Sequence, residues 1–128
     1  MVEIIALAPR PDRQIVQGYG KGGFRISDRE WRGAVIVLPT RTVAWAALSP
    51  ADLSIAQFGI VAEAVDPPIE LLLIGTGARL VYLPAKLRTD LRALGFAIEM
   101  MDTGAACRTY NVLIGEERRV AAALLTVQ

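Results

Sequence analysis

Two short apolar runs constrain this chain more than anything else in it. One is Ile69-Glu70-Leu71-Leu72-Leu73-Ile74, closed by Gly75; the other extends from Val120 to Val127. Runs of this length suit strands rather than helices. A strand that is apolar at both alternating positions is covered on both faces. Between them lies a helical pattern from Pro84 to Leu94, with Leu87, Leu91 and Leu94 on one face and Gly95 as its stop. Phe96 to Met101 then reads as a strand, and Gly104 to Leu113 as a helix ended by Gly115. A strand-helix-strand-helix-strand order favours parallel pairing through right-handed crossovers.

The first third reads as strands and turns. Gln14-Ile15-Val16 and Phe24-Arg25-Ile26 flank the glycine-rich stretch from Gly18 to Gly23, which suits a β-hairpin. Trp31 to Leu38 ends in the apolar run Ala34–Leu38. Pro39-Thr40-Arg41 then turns the chain into a strand from Thr42 to Ala47. Ser49-Pro50-Ala51-Asp52 has the residues of a helix start and predicts a helix from Pro50 to Val61, stopping before Pro67-Pro68. No repeat or linker interrupts the sequence, so residues 1–128 read as a single α/β domain. The expected fold is a three-layer α/β sandwich: a central mixed sheet, helices on both faces and an N-terminal β-hairpin. The early hairpin strands are expected to add its antiparallel members.

Composition closes off several functions. At 128 residues and 53% apolar, the chain can bury a core without disulfides or metal. No apolar run approaches the roughly 18–20 residues that span a bilayer, and Met1 to Leu7 lacks the basic start of a signal peptide. One cysteine permits no internal disulfide, so a reducing, cytoplasmic setting is expected. Fourteen basic against thirteen acidic residues give +1, without the basic excess of a nucleic-acid binder. With no histidine, Ser-His and Cys-His catalytic pairs and imidazole metal sites are all unavailable. No cofactor and no metal are expected.

Asp102-Thr103-Gly104-Ala105 matches the aspartic-protease signature. In that fold most of the sheet follows the signature, whereas here a helix and one strand follow. The favoured reading is a helix N-terminus capped by Asp102 or Thr103. Gly75-Thr76-Gly77 follows a buried strand as phosphate loops do, but Leu80 stands where a dinucleotide fingerprint needs its third glycine, so a tight turn is favoured. Gly20-Lys21 lacks the following Ser or Thr of a phosphate loop and lies between strands. Cys107 lies about one turn into a helix beside Arg108, where a thiol can be activated. Without a base or a second cysteine, it reads as a buried small side chain.

If the strands at 69–74 and 96–101 are parallel, the loops Gly75-Thr76-Gly77 and Asp102-Thr103-Gly104 become neighbours at the edge where open α/β sheets bind ligands. Arg108, Arg118, Arg119 and Arg79 can converge there on a carboxylate or phosphate. Equally, Asp102, Glu116 and Glu117 can satisfy the same arginines in salt bridges, and Thr109 and Asn111 can anchor the turn before the last strand. Both readings stand on the sequence. The candidate surface therefore comprises Gly75, Thr76, Gly77, Arg79, Asp102, Thr103, Arg108, Asn111, Arg118 and Arg119.

Several motifs occur in a recognisable order: Leu73-Ile74-Gly75-Thr76-Gly77, Met101-Asp102-Thr103, Ala106 to Leu113, and Glu117-Arg118-Arg119-Val120-Ala121-Ala122-Ala123-Leu124. Tyr19-Gly20 with Gly22-Gly23-Phe24, and Trp45, extend the set across nearly the whole chain. The chain thereby resembles the small uncharacterised α/β domain family shared by bacteria, archaea and mitochondria, whose members include mitochondrial complex I assembly factor 3 and the adipogenesis-associated domain protein. The resemblance implies a three-layer fold without established enzymatic activity and a role in assembling a membrane-associated complex through protein contacts. Lacking a transit peptide, the chain looks like a bacterial form. The expectation is a non-enzymatic interaction module with an unidentified protein partner, not membrane-spanning, reaching any membrane through partners; a homo-oligomer is compatible. The alternative is a small-ligand or anion site at the sheet edge.

Overall fold

A computed structural model describes residues 2–6, 8–64 and 67–128. Its centre is a five-stranded mixed sheet built from β5 (Val35–Val37), β6 (Thr42–Ala44), β7 (Leu71–Gly75), β8 (Ala97–Met101) and β9 (Val120–Leu124), in the order β6-β5-β9-β7-β8. β9 is the middle strand and wholly buried, which is why its sequence is apolar at successive positions. It pairs in parallel with β7, which pairs in parallel with β8; on its other side it runs antiparallel to β5. The crossovers are α2 (Ala85–Ala93) and α3 (Thr103–Gly115).

Alternation along the strands divides the core into two layers. Leu72, Ile74, Ala121 and Ala123 face Leu87 and Leu91 of α2, together with Trp45 and Phe58, whose rings meet edge to face at 5.3 Å. Leu73, Val120, Ala122 and Leu124 face Ala106, Cys107, Tyr110 and Ile114 of α3. Those α3 residues recur at three- and four-residue spacing, so one stripe of the helix carries the whole contact.

The remaining early strands build a second sheet. β1 (Glu3–Ile4), β2 (Val16–Gly20), β3 (Gly23–Ile26) and β4 (Arg29–Arg32) form an antiparallel meander packed beside α3. The expected hairpin is β2–β3, turning at Lys21 and Gly22, both with positive φ, as a two-residue type I′ turn requires. The β3–β4 hairpin repeats this geometry at Ser27 and Asp28. The early strands thus divide: β5 and β6 supply the antiparallel members of the central sheet, while β2 and β3 do not join it.

The helix expected from Pro50 to Val61 is broken. The segment forms 3₁₀ turns at Pro50–Asp52 and Ile55–Phe58, then the single helical turn α1 (Gly59–Ala62). Ser49 spends its hydroxyl on the Asp52 carboxylate at 3.0 Å rather than on a backbone amide, and Leu53 is extended. A second start follows at Ser54, whose N–H donates to Gln57 Oε1 at 2.7 Å. The Gln57 carbonyl is drawn away to accept from Trp45 Nε1 at 2.8 Å. Tertiary bonds to residues 45–47, which follow β6 because the strand expected to reach Ala47 ends at Ala44, therefore outweigh the local helix signal.

Candidate functional site

Parallel pairing of β7 and β8 brings the two expected loops together. Thr76 N–H donates to Met101 O and Thr103 N–H donates to Gly77 O, both at 2.9 Å. The Thr103 hydroxyl accepts from Gly77 N–H at 2.9 Å and donates to Leu125 O at 2.7 Å. Thr103 is wholly buried and ties the ends of β7, β9 and α3 into one clasp. Gly77 sits at φ +102°, where a side chain would be strained.

The clasp leaves few donors for a ligand. Asp102 caps α3, accepting from Ala105 N–H at 2.9 Å, and Thr103 N–H is spent on Gly77 O, so these two first-turn amides are not free for an anion. This is the helix-cap role expected for the D-T-G sequence. At Gly104 a side chain would collide with the Tyr19 hydroxyl, which fixes how closely the second sheet seats against α3.

Thr76, also buried, holds the loop beyond the clasp. Its hydroxyl donates to Arg79 O at 2.8 Å and accepts from Val81 N–H at 3.0 Å. Leu83 at the far end is buried, with its N–H on Met100 Sδ at 3.4 Å. Between these anchors Leu80, Val81 and Tyr82 are 42%, 42% and 69% exposed. The Arg79 side chain is exposed beside them. Arg79 was legible as a candidate in the sequence, whereas its three neighbours were not. The signal they carry is positional: three large apolar residues lie between a turn glycine and Pro84, in no periodic element.

The arginines do not converge as one reading expected. Arg118 and Arg119 precede β9 and lie at the start of β7, where Arg118 Nε meets Glu70 Oε1 at 2.8 Å and Arg119 reaches Glu70 Oε2 at 3.6 Å. Arg119, level with Glu70, is five residues of strand from Gly75, roughly 16 Å at about 3.3 Å per residue, so both arginines belong to the opposite edge. Their partner is Glu70 rather than the expected Glu116 or Glu117. Glu117 instead pairs with Arg10 and Arg13 at 3.0 and 3.4 Å. The Arg118 hydrogen bond holds the Glu70 carboxyl below its ordinary value, and Glu70 raises Arg118 in return. Arg108 is exposed on α3, close to Gly104.

Asn111 proves to be a clamp on a distant strand rather than an anchor for the following turn. Its Oδ1 accepts from Val16 N–H at 3.0 Å and its Nδ2 donates to Val16 O at 2.7 Å, where the β2–β3 register shifts. The neighbouring Tyr110, fully buried, donates to Gln14 O at 3.0 Å. Cys107 is core, as expected. Burial pushes its thiol up to about 12, outweighing the opposing pull of Arg108. Among the described residues, no group of three or more Cys, Asp or Glu could hold a metal ion. Nor is any helix among them long and apolar enough to cross a membrane.

A mixed α/β sandwich with a closed sheet-edge clasp and a rigidly anchored apolar loop defines the class. The chain belongs to the protein family of unknown function DUF498/DUF598, whose model matches residues 16–125. It is 36% identical over 111 residues to NADH dehydrogenase [ubiquinone] 1 alpha subcomplex assembly factor 3 of Danio rerio, covering 87% of this chain and 63% of that protein. The chain thus spans just under two thirds of that relative. An uncharacterized protein of Rhodobacter capsulatus is 39% identical over 110 residues, covering 86% and 82%. The crystal structure of an outer membrane protein from Bartonella henselae superposes with a TM-score of 0.83 at 41% identity, covering 92% and 98%.

Proposed function

We propose that this protein is a non-enzymatic interaction module that docks a protein partner through the loop at Arg79–Tyr82. The observation that carries the reading is the exposed run Leu80-Val81-Tyr82, anchored by buried Thr76 on one side and buried Leu83 on the other. Adjacent exposed apolar side chains mark interaction surfaces, and tyrosine is enriched in interface cores. A loop already fixed by internal hydrogen bonds loses little further entropy on docking.

The relative's name, an assembly factor for NADH dehydrogenase, supports placing this chain in assembly of a membrane-associated respiratory or secretory complex. On this proposal it acts in the cytoplasm and reaches the membrane through its partner. The sheet-edge ligand reading gains no support, because the clasp spends its Gly77 and Thr103 amides internally.

Substitution separates docking from folding. Tyr82→Ala and Leu80→Asp should each weaken partner recovery at least tenfold in crosslinked native cells, with thermal stability essentially unchanged. Recovery equal to wild type from both folded variants would remove the loop from the account.

A further inference from the structure

A second feature lies away from that loop, where the two sheets meet. The β3–β4 hairpin and the β5–β6 turn approach across the segment at Gln14 and Ile15. Ser27 N–H donates to Ile15 O at 2.9 Å and Gln14 N–H to Pro39 O at 2.8 Å. Between the hairpin ends is a cleft of about 260 Å³ whose lining includes Ser27, Arg29, Trp31, Thr40, Arg41 and Thr42.

Its charge is one-sided. The lining holds two arginines and no carboxylate, in a chain whose net charge is only +1. Strand alternation produces this separation. Arg25 and Glu30 oppose one another across β3 and β4 and pair at 2.9 Å, while Arg29 and Trp31 project from the other face. Among the described residues, neither Arg29 nor Arg41 forms an ion pair, which they share with Arg32, Arg79, Arg88, Arg92 and Arg108; what sets them apart is that both line one cleft without a carboxylate. The Arg29 guanidinium carbon lies over the Trp31 ring, 4.3 Å from its centre. That contact positions the cation through its face and leaves its edge N–H groups available for an acceptor.

We propose that this cleft binds a small oxyanion, a free phosphate or small phosphate monoester, between Arg29 and Arg41. Two guanidiniums supply charge-assisted hydrogen bonds in fork geometry, and the Ser27 and Thr40 hydroxyls add neutral donors, while the Thr42 hydroxyl is spent on Gln14 Oε1 at 2.7 Å. The cleft is open to solvent and, at about 260 Å³, has room for a small ligand. The site is separate from the Arg79–Tyr82 loop and stands or falls independently of it.

The test is an NMR titration of the full chain with inorganic phosphate and glycerol phosphate at constant ionic strength, following arginine Nε–H and indole N–H signals. The expected result is saturable shifts confined to Arg29, Arg41 and the Trp31 indole. Arg29→Gln and Arg41→Gln should each weaken binding at least tenfold, while Arg92→Gln, on exposed α2 surface, should bind like wild type. Non-saturable shifts, or shifts spread equally over Arg79, Arg92 and Arg108, would overturn the site. So would wild-type binding by both cleft variants. A parallel arm with phosphatidylglycerol vesicles separates the sources: perturbation by vesicles but by neither small anion would overturn the proposal in favour of a lipid surface.

Discussion

Replacing Thr103 with valine tests the clasp with almost no change of shape. The side chain is wholly buried; its hydroxyl accepts from Gly77 N–H and donates to Leu125 O. Valine fills the same space but leaves both backbone groups without that partner. An unsatisfied buried polar group costs about 1–3 kcal/mol, so Thr103→Val should destabilise the protein by about 3–4 kcal/mol. With an unfolding entropy of roughly 2.1 cal/mol/K per residue, the melting temperature should fall by about 12 °C. Thr103→Ser keeps the hydroxyl and loses one methyl, costing about 1 kcal/mol. Urea denaturation of the three proteins gives the differences directly. Amide exchange should also accelerate at Gly77 in the valine variant. A Thr103→Val protein within about 0.5 kcal/mol of wild type would refute the claim that this hydroxyl holds the sheet edge together.

Three further outcomes follow from the same structure. Asn111→Ala should cost about 2–3 kcal/mol in urea denaturation and speed exchange of the Val16 amide, since both bonds to that residue vanish; unchanged stability would show the clamp to be incidental. The Cys107 thiol should resist thiol reagents until unfolding. Because its folded value is raised, its stabilising contribution is fully present below the ordinary thiol pKa near 8.5 and is lost toward about 12, at about 1.4 kcal/mol per pH unit. Cys107→Ala should remove that component; an identical alkaline profile would contradict the burial. Glu70 is shifted down, so its contribution is present above the ordinary carboxylate range and is lost as pH falls through its lowered value. A carboxyl NMR titration should find it ionised to lower pH than an ordinary glutamate, and Arg118→Ala should restore the ordinary value; the absence of a difference would dissolve the pair.

The layered core was legible because β7, β9 and α3 carry it in their own residues. A strand buried on both faces must be apolar throughout, and a helix buried along one stripe must repeat at three and four residues. The neighbouring positions of Gly75–Gly77 and Asp102–Gly104 followed from parallel pairing alone. Residues 50–62 misled because a sound local start at Ser49-Pro50 competes with the Trp45–Gln57 bond, which only the folded chain brings together. The arginines were ambiguous for a related reason. Arg118 is far from Glu70 in sequence, and charge composition does not reveal which carboxylate a guanidinium meets. Asn111 escaped because its partner is a backbone group, which leaves no mark on residue identity.

Whether the apolar loop is the docking surface is decided by site-specific photo-crosslinking in native cells. With the photoreactive residue at Arg79, exposed beside the apolar run, a discrete adduct with one protein is expected, reduced by Leu80→Asp and absent when the probe stands at Arg92. No adduct at Arg79, or the same pattern from both positions, would contradict docking through this loop.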